Sequence, residues 1–261
     1  MLLRRVRRRL ACRLALYSDR ALALLECSTP VCALAYTGGV PRDTLVVFLP
    51  GIGDFAEDFE RRGFIDALLA SGLPADAVAV DAHYGYYGRR TLLARLAQDV
   101  VLPARSRGYR EIWLVGISMG GIGALSYVVH HPGHIARALL LAPYLGEPAW
   151  IREATHDSAP LPGGESTPRM RVQRLWRWVR DQPGEDALRP KLYLGYGLRD
   201  RFAAANALFG GYLPAQHVLA VPGAHDWRTW KRLWDAFLAR WAVVGGEERA
   251  IGRDDQHNRR A

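Results

Sequence analysis

Cysteine is scarce in this chain: of 261 residues only Cys12, Cys27 and Cys32 carry a thiol, and all three lie in the first 32 positions. No Cys-x-x-Cys pair and no zinc-ligand spacing occurs, so neither a cysteine nucleophile nor a bound metal is indicated for the rest of the chain. Lysine is nearly missing as well. Lys191 and Lys231 are the only two, so the positive charge is almost wholly arginine. Seven arginines (Arg4, Arg5, Arg7, Arg8, Arg9, Arg13 and Arg20) face a single acid, Asp19, in residues 1–20, which places +6 of the formal net charge of +9 there. The remaining +3 or so is too little for a polyanion-binding surface, and no interleaved aromatic platform accompanies the leader, so a nucleic-acid partner is not expected. Runs of 18 uninterrupted apolar residues are absent, which excludes a predicted transmembrane helix, and nothing repeats at a fixed period.

Residues 1–32 read as a basic leader. Met1–Arg9 has the charge of a signal-peptide n-region, yet Arg13 interrupts the apolar stretch behind it and Asp19 and Arg20 end it. The segment suits an arginine-rich amphipathic helix or a poorly ordered arm, with a weak, salt-sensitive attachment to an anionic membrane surface as its partner. Glu26 stands where a lipoprotein cleavage site takes a small residue, so a cytoplasmic chain is the expectation and an exported lipoprotein the alternative. One domain is expected over residues 33–244. The mixed-charge tail, residues 245–261, is expected to be disordered.

From residue 44 short apolar runs alternate with longer amphipathic segments, the pattern of an α/β domain with a mostly parallel central sheet and helices on both faces. Strands are predicted at Leu45–Leu49, Ala77–Val80, Ile112–Val115, Ala138–Leu141, Lys191–Tyr196 and His217–Val221, with Ala33–Tyr36 as an extra edge strand. Helices are predicted at Ala56–Ser71, at Arg90–Arg107 with a cut near Pro103, and at Ser118–His131, Arg201–Leu208 and Trp227–Trp241. Residues 145–190 are more than a helical crossover needs, and hold a Pro/Gly-rich stretch followed by the arginine and aromatic segment around Trp176. They are read as a small lid or substrate wall over the carboxyl ends of the strands, or as a helix that merely covers the sheet.

The chemistry is concentrated in Glu111–Gly121. An apolar run ends in Gly116-Ile117-Ser118-Met119-Gly120 and a helix-compatible segment follows at once, the context of a nucleophile elbow. A serine hydroxyl needs a base within hydrogen-bond reach and a carboxylate to orient that base. His225, in the loop Val221–Trp227 after the last strand, fits the base; His217 opens a strand and His257 lies in the tail. Asp200, after the strand Lys191–Tyr196, fits the acid, with an N-cap as its alternative role. Asp226 abuts His225, but neighbouring side chains rarely face one another, and Asp54 and Asp81 come too early in the order Ser, acid, His. The oxyanion donors are expected from Met119 N–H and from Ile52 N–H, the latter between Gly51 and Gly53 in the loop after the first core strand. His83 and Tyr84, in the Tyr/Arg-rich cluster after Ala77–Val80, are the expected wall residues, together with Trp176.

Four landmarks in order (the Pro50-Gly51-x-Gly53 loop, Gly-Ile-Ser-Met-Gly-Gly, Gly197-x-x-Asp200 and Gly-Ala-His225) resemble the α/β-hydrolase fold superfamily, and in particular its bacterial serine esterase and lipase-like members, over residues 33–243. Pro50 stands where many members have His, which leaves the backbone donors intact. His225-Asp226-Trp227-x-x-Trp230 is similar to esterase-D-like and mycolyltransferase-like members. The resemblance implies a cofactor-free, metal-free serine hydrolase acting on a small-molecule carboxylic ester or thioester through an acyl-enzyme. The lid's aromatic residues suggest an apolar acyl or alcohol group. Acyl transfer by the same three residues, and a non-catalytic binding protein on the same scaffold, are the alternatives.

Overall fold

The computed structural model describes residues 33–37, 42–156, 167–181 and 191–241. The expectations for the leader, the Pro/Gly-rich stretch and the tail lie outside these residues. Seven strands form one sheet in the order β1-β3-β2-β4-β5-β6-β7, namely Ala33–Tyr36 (β1), Thr44–Leu49 (β2), Ala75–Val80 (β3), Glu111–Ile117 (β4), Arg137–Leu141 (β5), Lys191–Gly197 (β6) and Val218–Val221 (β7). β1 runs antiparallel to β3 at the edge; every other pairing is parallel. β2 and β4 read as near-continuous apolar runs because helices cover both faces, and Val46, Val47, Phe48, Leu49 and Leu114 are fully buried.

The helix predicted over Ala56–Ser71 is two helices, α1 (Ala56–Arg61) and α2 (Phe64–Ala70). Gly63 at φ 72° turns the chain left-handed between them, a conformation that costs a side-chain-bearing residue more than glycine. The break lets Phe64 enter an aromatic cluster with Phe48, Phe59 and Trp234 that a straight helix could not reach. A short helix, α3 (Tyr84–Gly88), stands where the sequence reads as a loop. α4 runs through Leu92–Leu96, a π-helical turn at Ala97–Val101 and Leu102–Ser106. Its irregularity falls one turn before Pro103, whose ring nitrogen has no proton to give to the preceding turn.

The insertion between β5 and β6 contributes α6 (Pro148–His156) and α7 (Pro168–Arg180), α5 being the Met119–His130 helix that follows β4. Thr167 caps α7 by accepting from Met170 N–H at 3.2 Å, and Pro168 occupies its first turn. Val172, Leu175, Trp176 and Val179, spaced as one helical face, are buried. Glu153 of α6 accepts from Gln173 Nε2 (2.9 Å) and pairs with Arg169 (2.6 Å), joining the two helices. The fold is completed by α8 (Ala203–Gly210), a 3₁₀ turn at Ala215–His217 that takes the first residue of the predicted strand His217–Val221, and α9, residues 227–241.

Three histidines gather at the carboxyl end of α5. His131 stacks on His134 with ring centroids 5.2 Å apart, and Tyr127 lies 4.5 Å from His131. Burial, then the charges of His134 and His130, holds the His131 imidazole below its ordinary range. The unfolded chain therefore binds a proton at His131 more readily than the folded one, and stability falls as pH drops through the unfolded value of about 6.5. Urea midpoints at pH 7.5 and 5.5 should show this acid loss, and His131→Gln should reduce it. An unchanged pH dependence in that variant would remove His131 as its source.

Candidate active site

β4 leads straight into Ser118, the expected nucleophile. Ser118 follows Ile117 directly at φ 52° and ψ −110°, a strained conformation for a residue with a side chain, and α5 begins one residue later. The turn is pinned from several sides: Ser118 N–H donates to Leu141 O (2.9 Å), and Ser118 O accepts from Gly121 N–H (3.0 Å) and Tyr144 N–H (3.0 Å). Flanking glycines are required by close approach. A Cβ on Gly116 would lie 2.7 Å from Gly121 N, and one on Gly120 would fall on the Leu49 carbonyl. Ser118 is 4% exposed, with α5 starting directly behind it.

His225 lies between two partners. Its Nε2 is 3.0 Å from Ser118 Oγ and its Nδ1 2.7 Å from Asp200 Oδ2. With Nδ1–H donating to the carboxylate, Nε2 is the free acceptor for the serine proton, the tautomer being assigned from this network. Asp200 follows β6, and its other oxygen, Oδ1, accepts from Phe202 N–H at 2.8 Å, so both oxygens are held. The carboxylate is out of contact with solvent. Asp226 turns away from His225 and caps α9, accepting from Thr229 N–H at 2.8 Å. The His225 loop is tied to the Asp200 loop by Arg199 N–H to Gly223 O and Leu198 N–H to Val221 O, both 2.8 Å.

Ile52 lies in the loop after β2. Gly51 in that loop abuts Ser118, since a Cβ built there would stand 3.6 Å from Ser118 Cβ. Neither Ile52 N–H nor Met119 N–H, the first amide of α5, has an acceptor among the described residues. The two amides are thus unspent donors on the loop and helix that meet at Ser118.

The expected wall residues fare differently. His83 is 3% exposed; its Nδ1 accepts from Gly85 N–H (3.1 Å) and caps α3, and its ring lies 4.8 Å from Tyr86. Tyr84, beside it, is half-buried. Trp176 is a correction: at 1% exposure it lies in the core and not on a pocket wall. Its Nε1–H donates to Leu145 O (2.9 Å) and its ring meets Phe209 and Tyr212 edge-on. Helical spacing with Val172, Leu175 and Val179 is the sequence signal that identifies this face as the buried one. Trp176→Phe should therefore cost about 2 kcal/mol through the lost hydrogen bond and ring volume. A denaturation curve reads that loss, and an unchanged KM separates a core role from a wall role.

The side chains that do surround His225 are Phe202 and Trp230, both nearly perpendicular to its ring at centroid distances of 5.1 and 5.0 Å. Tyr144 continues this wall, 5.6 Å from Phe202, with its hydroxyl donating to Glu147 Oε1 at 2.9 Å. Burial, and then the Glu147 carboxylate, pushes the Tyr144 phenol well above its usual range. Phe202 and Trp230 belong to the motifs around Asp200 and His225, but nothing in their spacing says that they flank the imidazole. Among the described residues no group of three or more His, Cys, Asp or Glu side chains could hold a metal ion, and no helix is long and apolar enough to cross a membrane.

The chain matches a known family. The sequence profile of the alpha/beta hydrolase family covers residues 46–261, and the chain belongs to that family. No curated protein sequence matches it. Solved structures share the fold. Est1E from Butyrivibrio proteoclasticus is 16% identical with a TM-score of 0.59 over 84% of this chain and 96% of that one. A monoacylglycerol lipase from Paleococcus ferrophilus is 14% identical with a TM-score of 0.54 (82% and 98%). The S-formylglutathione hydrolase FrmB from Staphylococcus aureus is 17% identical with a TM-score of 0.52 (78% and 82%). At these identities the likeness is one of fold.

Proposed function

We propose that the chain is a serine hydrolase that cleaves a carboxylic ester or thioester of a small or medium apolar substrate through an acyl-enzyme. The observation that carries this reading is the unbroken chain from Ser118 Oγ through His225 to Asp200, at 3.0 and 2.7 Å. In it His225 Nε2 takes the hydroxyl proton as Oγ attacks the carbonyl carbon. The carbonyl oxygen, now an oxyanion, accepts from Ile52 N–H and Met119 N–H. Collapse breaks the bond to the leaving group, which receives the proton from His225. Water then attacks the acyl-enzyme, giving a proton to His225, and the acid departs as Ser118 regains it. Asp200 holds Nδ1–H and stabilises the imidazolium at each transfer. The aromatic wall of Tyr144, Phe202 and Trp230 favours an apolar group beside His225. A monoacylglycerol lipase and an S-formylglutathione hydrolase among proteins of the same fold agree with this chemistry.

A fluorophosphonate probe tests the reading. The purified wild type should be labelled, His225→Ala should not, and p-nitrophenyl esters of increasing acyl length should be hydrolysed with an optimum that sizes the pocket. A folded wild type that is neither labelled nor active on any ester would overturn it. Faster product formation in the presence of an alcohol acceptor would reassign the second half-reaction to acyl transfer.

A further inference from the structure

The motif His225-Asp226-Trp227-x-x-Trp230 contains two tryptophans, of which the chemistry above uses only Trp230, as part of the aromatic wall. Trp227 opens α9 and packs edge-on against Phe59 (5.5 Å), Phe64 (5.6 Å) and Trp230 (5.4 Å), and Trp230 in turn lies 5.0 Å from the His225 ring. The Trp227 indole N–H points the other way, to Asp54 Oδ1 at 3.4 Å. Asp54 ends the Gly51–Asp54 turn, its N–H donating to Gly51 O at 3.2 Å. Its Oδ2 sits 3.1 Å from the place a Cβ would take on Gly51, the residue that abuts Ser118. One continuous set of contacts therefore runs from the oxyanion loop through Asp54, Trp227 and Trp230 to the base, over a sequence separation of more than 170 residues.

We propose that Asp54 and Trp227 are positioning residues that set the Ile52 amide relative to His225, so that the donor and the base keep one geometry. The inference rests on the serine-hydrolase reading. A donor displaced from the oxyanion weakens only the transition state, because the ground-state carbonyl asks less of it. Loss of the tie should therefore appear in kcat and leave KM nearly unchanged. The hydrogen bond the two residues share is their common path to the Ile52 amide, so their effects through it cannot add independently.

The test is a double-mutant cycle on the full chain, read with a p-nitrophenyl ester and with the inhibition constant of a trifluoromethyl ketone, which forms the same oxyanion. Trp227→Phe keeps the ring and removes the N–H; Asp54→Ala removes the acceptor. Each should lower kcat about tenfold, a fraction of the loss of a whole oxyanion donor, and weaken the ketone by a similar factor, with KM within about twofold. The double variant should also fall about tenfold, not a hundredfold. Asp54→Asn, which keeps an acceptor of the same size, should restore most of the activity and serves where Asp54→Ala fails to fold. Multiplying effects, a loss confined to KM, or kcat unchanged in both variants would overturn the proposal while leaving wild-type labelling intact. A wild type without labelling or turnover would overturn both this inference and the reading beneath it.

Discussion

Ser118→Ala is expected to lower ester turnover by about 10⁵-fold or more and to abolish fluorophosphonate labelling, with the fold retained. The reason is the geometry of one atom. Among the described residues Ser118 Oγ is the only hydroxyl at His225 Nε2, 3.0 Å away, and the imidazole is already held on its other side by Asp200 at 2.7 Å. Alanine keeps the backbone bonds of the turn, to Leu141 O and from Gly121 and Tyr144 N–H, so the loss should not come from unfolding. A residual rate above water should survive, because the Ile52 and Met119 N–H groups would still donate to an oxyanion formed by other means. Turnover of a purified Ser118→Ala chain at even a tenth of the wild-type rate would mean that Ser118 is not the nucleophile.

Gly120→Ala should be as damaging to the fold as Ser118→Ala is to turnover. A Cβ on Gly120 would meet the Leu49 carbonyl oxygen and stand 2.6 Å from the Leu49 carbonyl carbon and 2.7 Å from Pro50 O. These are main-chain atoms at the end of β2, fixed by pairing to β3 and β4, and no side-chain rotation relieves the overlap. α5 must move away from the sheet, taking Ser118 and the Met119 amide with it. The expected cost is on the order of 4 kcal/mol or more, or failure to yield soluble protein. A urea midpoint equal to that of the wild type would show that the elbow has room the structure denies it.

Much of this was legible in the linear order of residues. β2, β4 and β5 are apolar runs because both faces of a parallel sheet are covered, and that pattern does not depend on which helix covers which strand. Ser118 could be found because the elbow writes its steric demand into adjacent positions, as glycines two residues to either side. Other features left no such trace. The split at Gly63 looks like one helix until the destination of Phe64 is known. His83 sits at the end of a strand, where wall residues are common, yet its ring nitrogen is spent on Gly85 N–H. Trp176 lies in an arginine-rich segment, and only its spacing with Val172, Leu175 and Val179 tells of the buried face.

The sequence alone determined the class of fold and the types and order of the candidate reacting groups, because strand periodicity, glycine sterics and the spacing of a serine, a histidine and an acid are properties of the linear order. Which carboxylate lies against His225 was decided by the tertiary structure. Asp226 is next to His225 in the chain but points to Thr229 N–H at the start of a helix, while Asp200, 25 residues away, lies 2.7 Å from Nδ1 because β6 and β7 are paired side by side. The same holds for Asp54 and Trp227, which stand 173 positions apart in sequence and meet only because the parallel strands β2 and β7 both end at the carboxyl end of the sheet. Side-chain partnership depends on which strands are neighbours and on the direction each side chain leaves its element, and neither is contained in the local pattern.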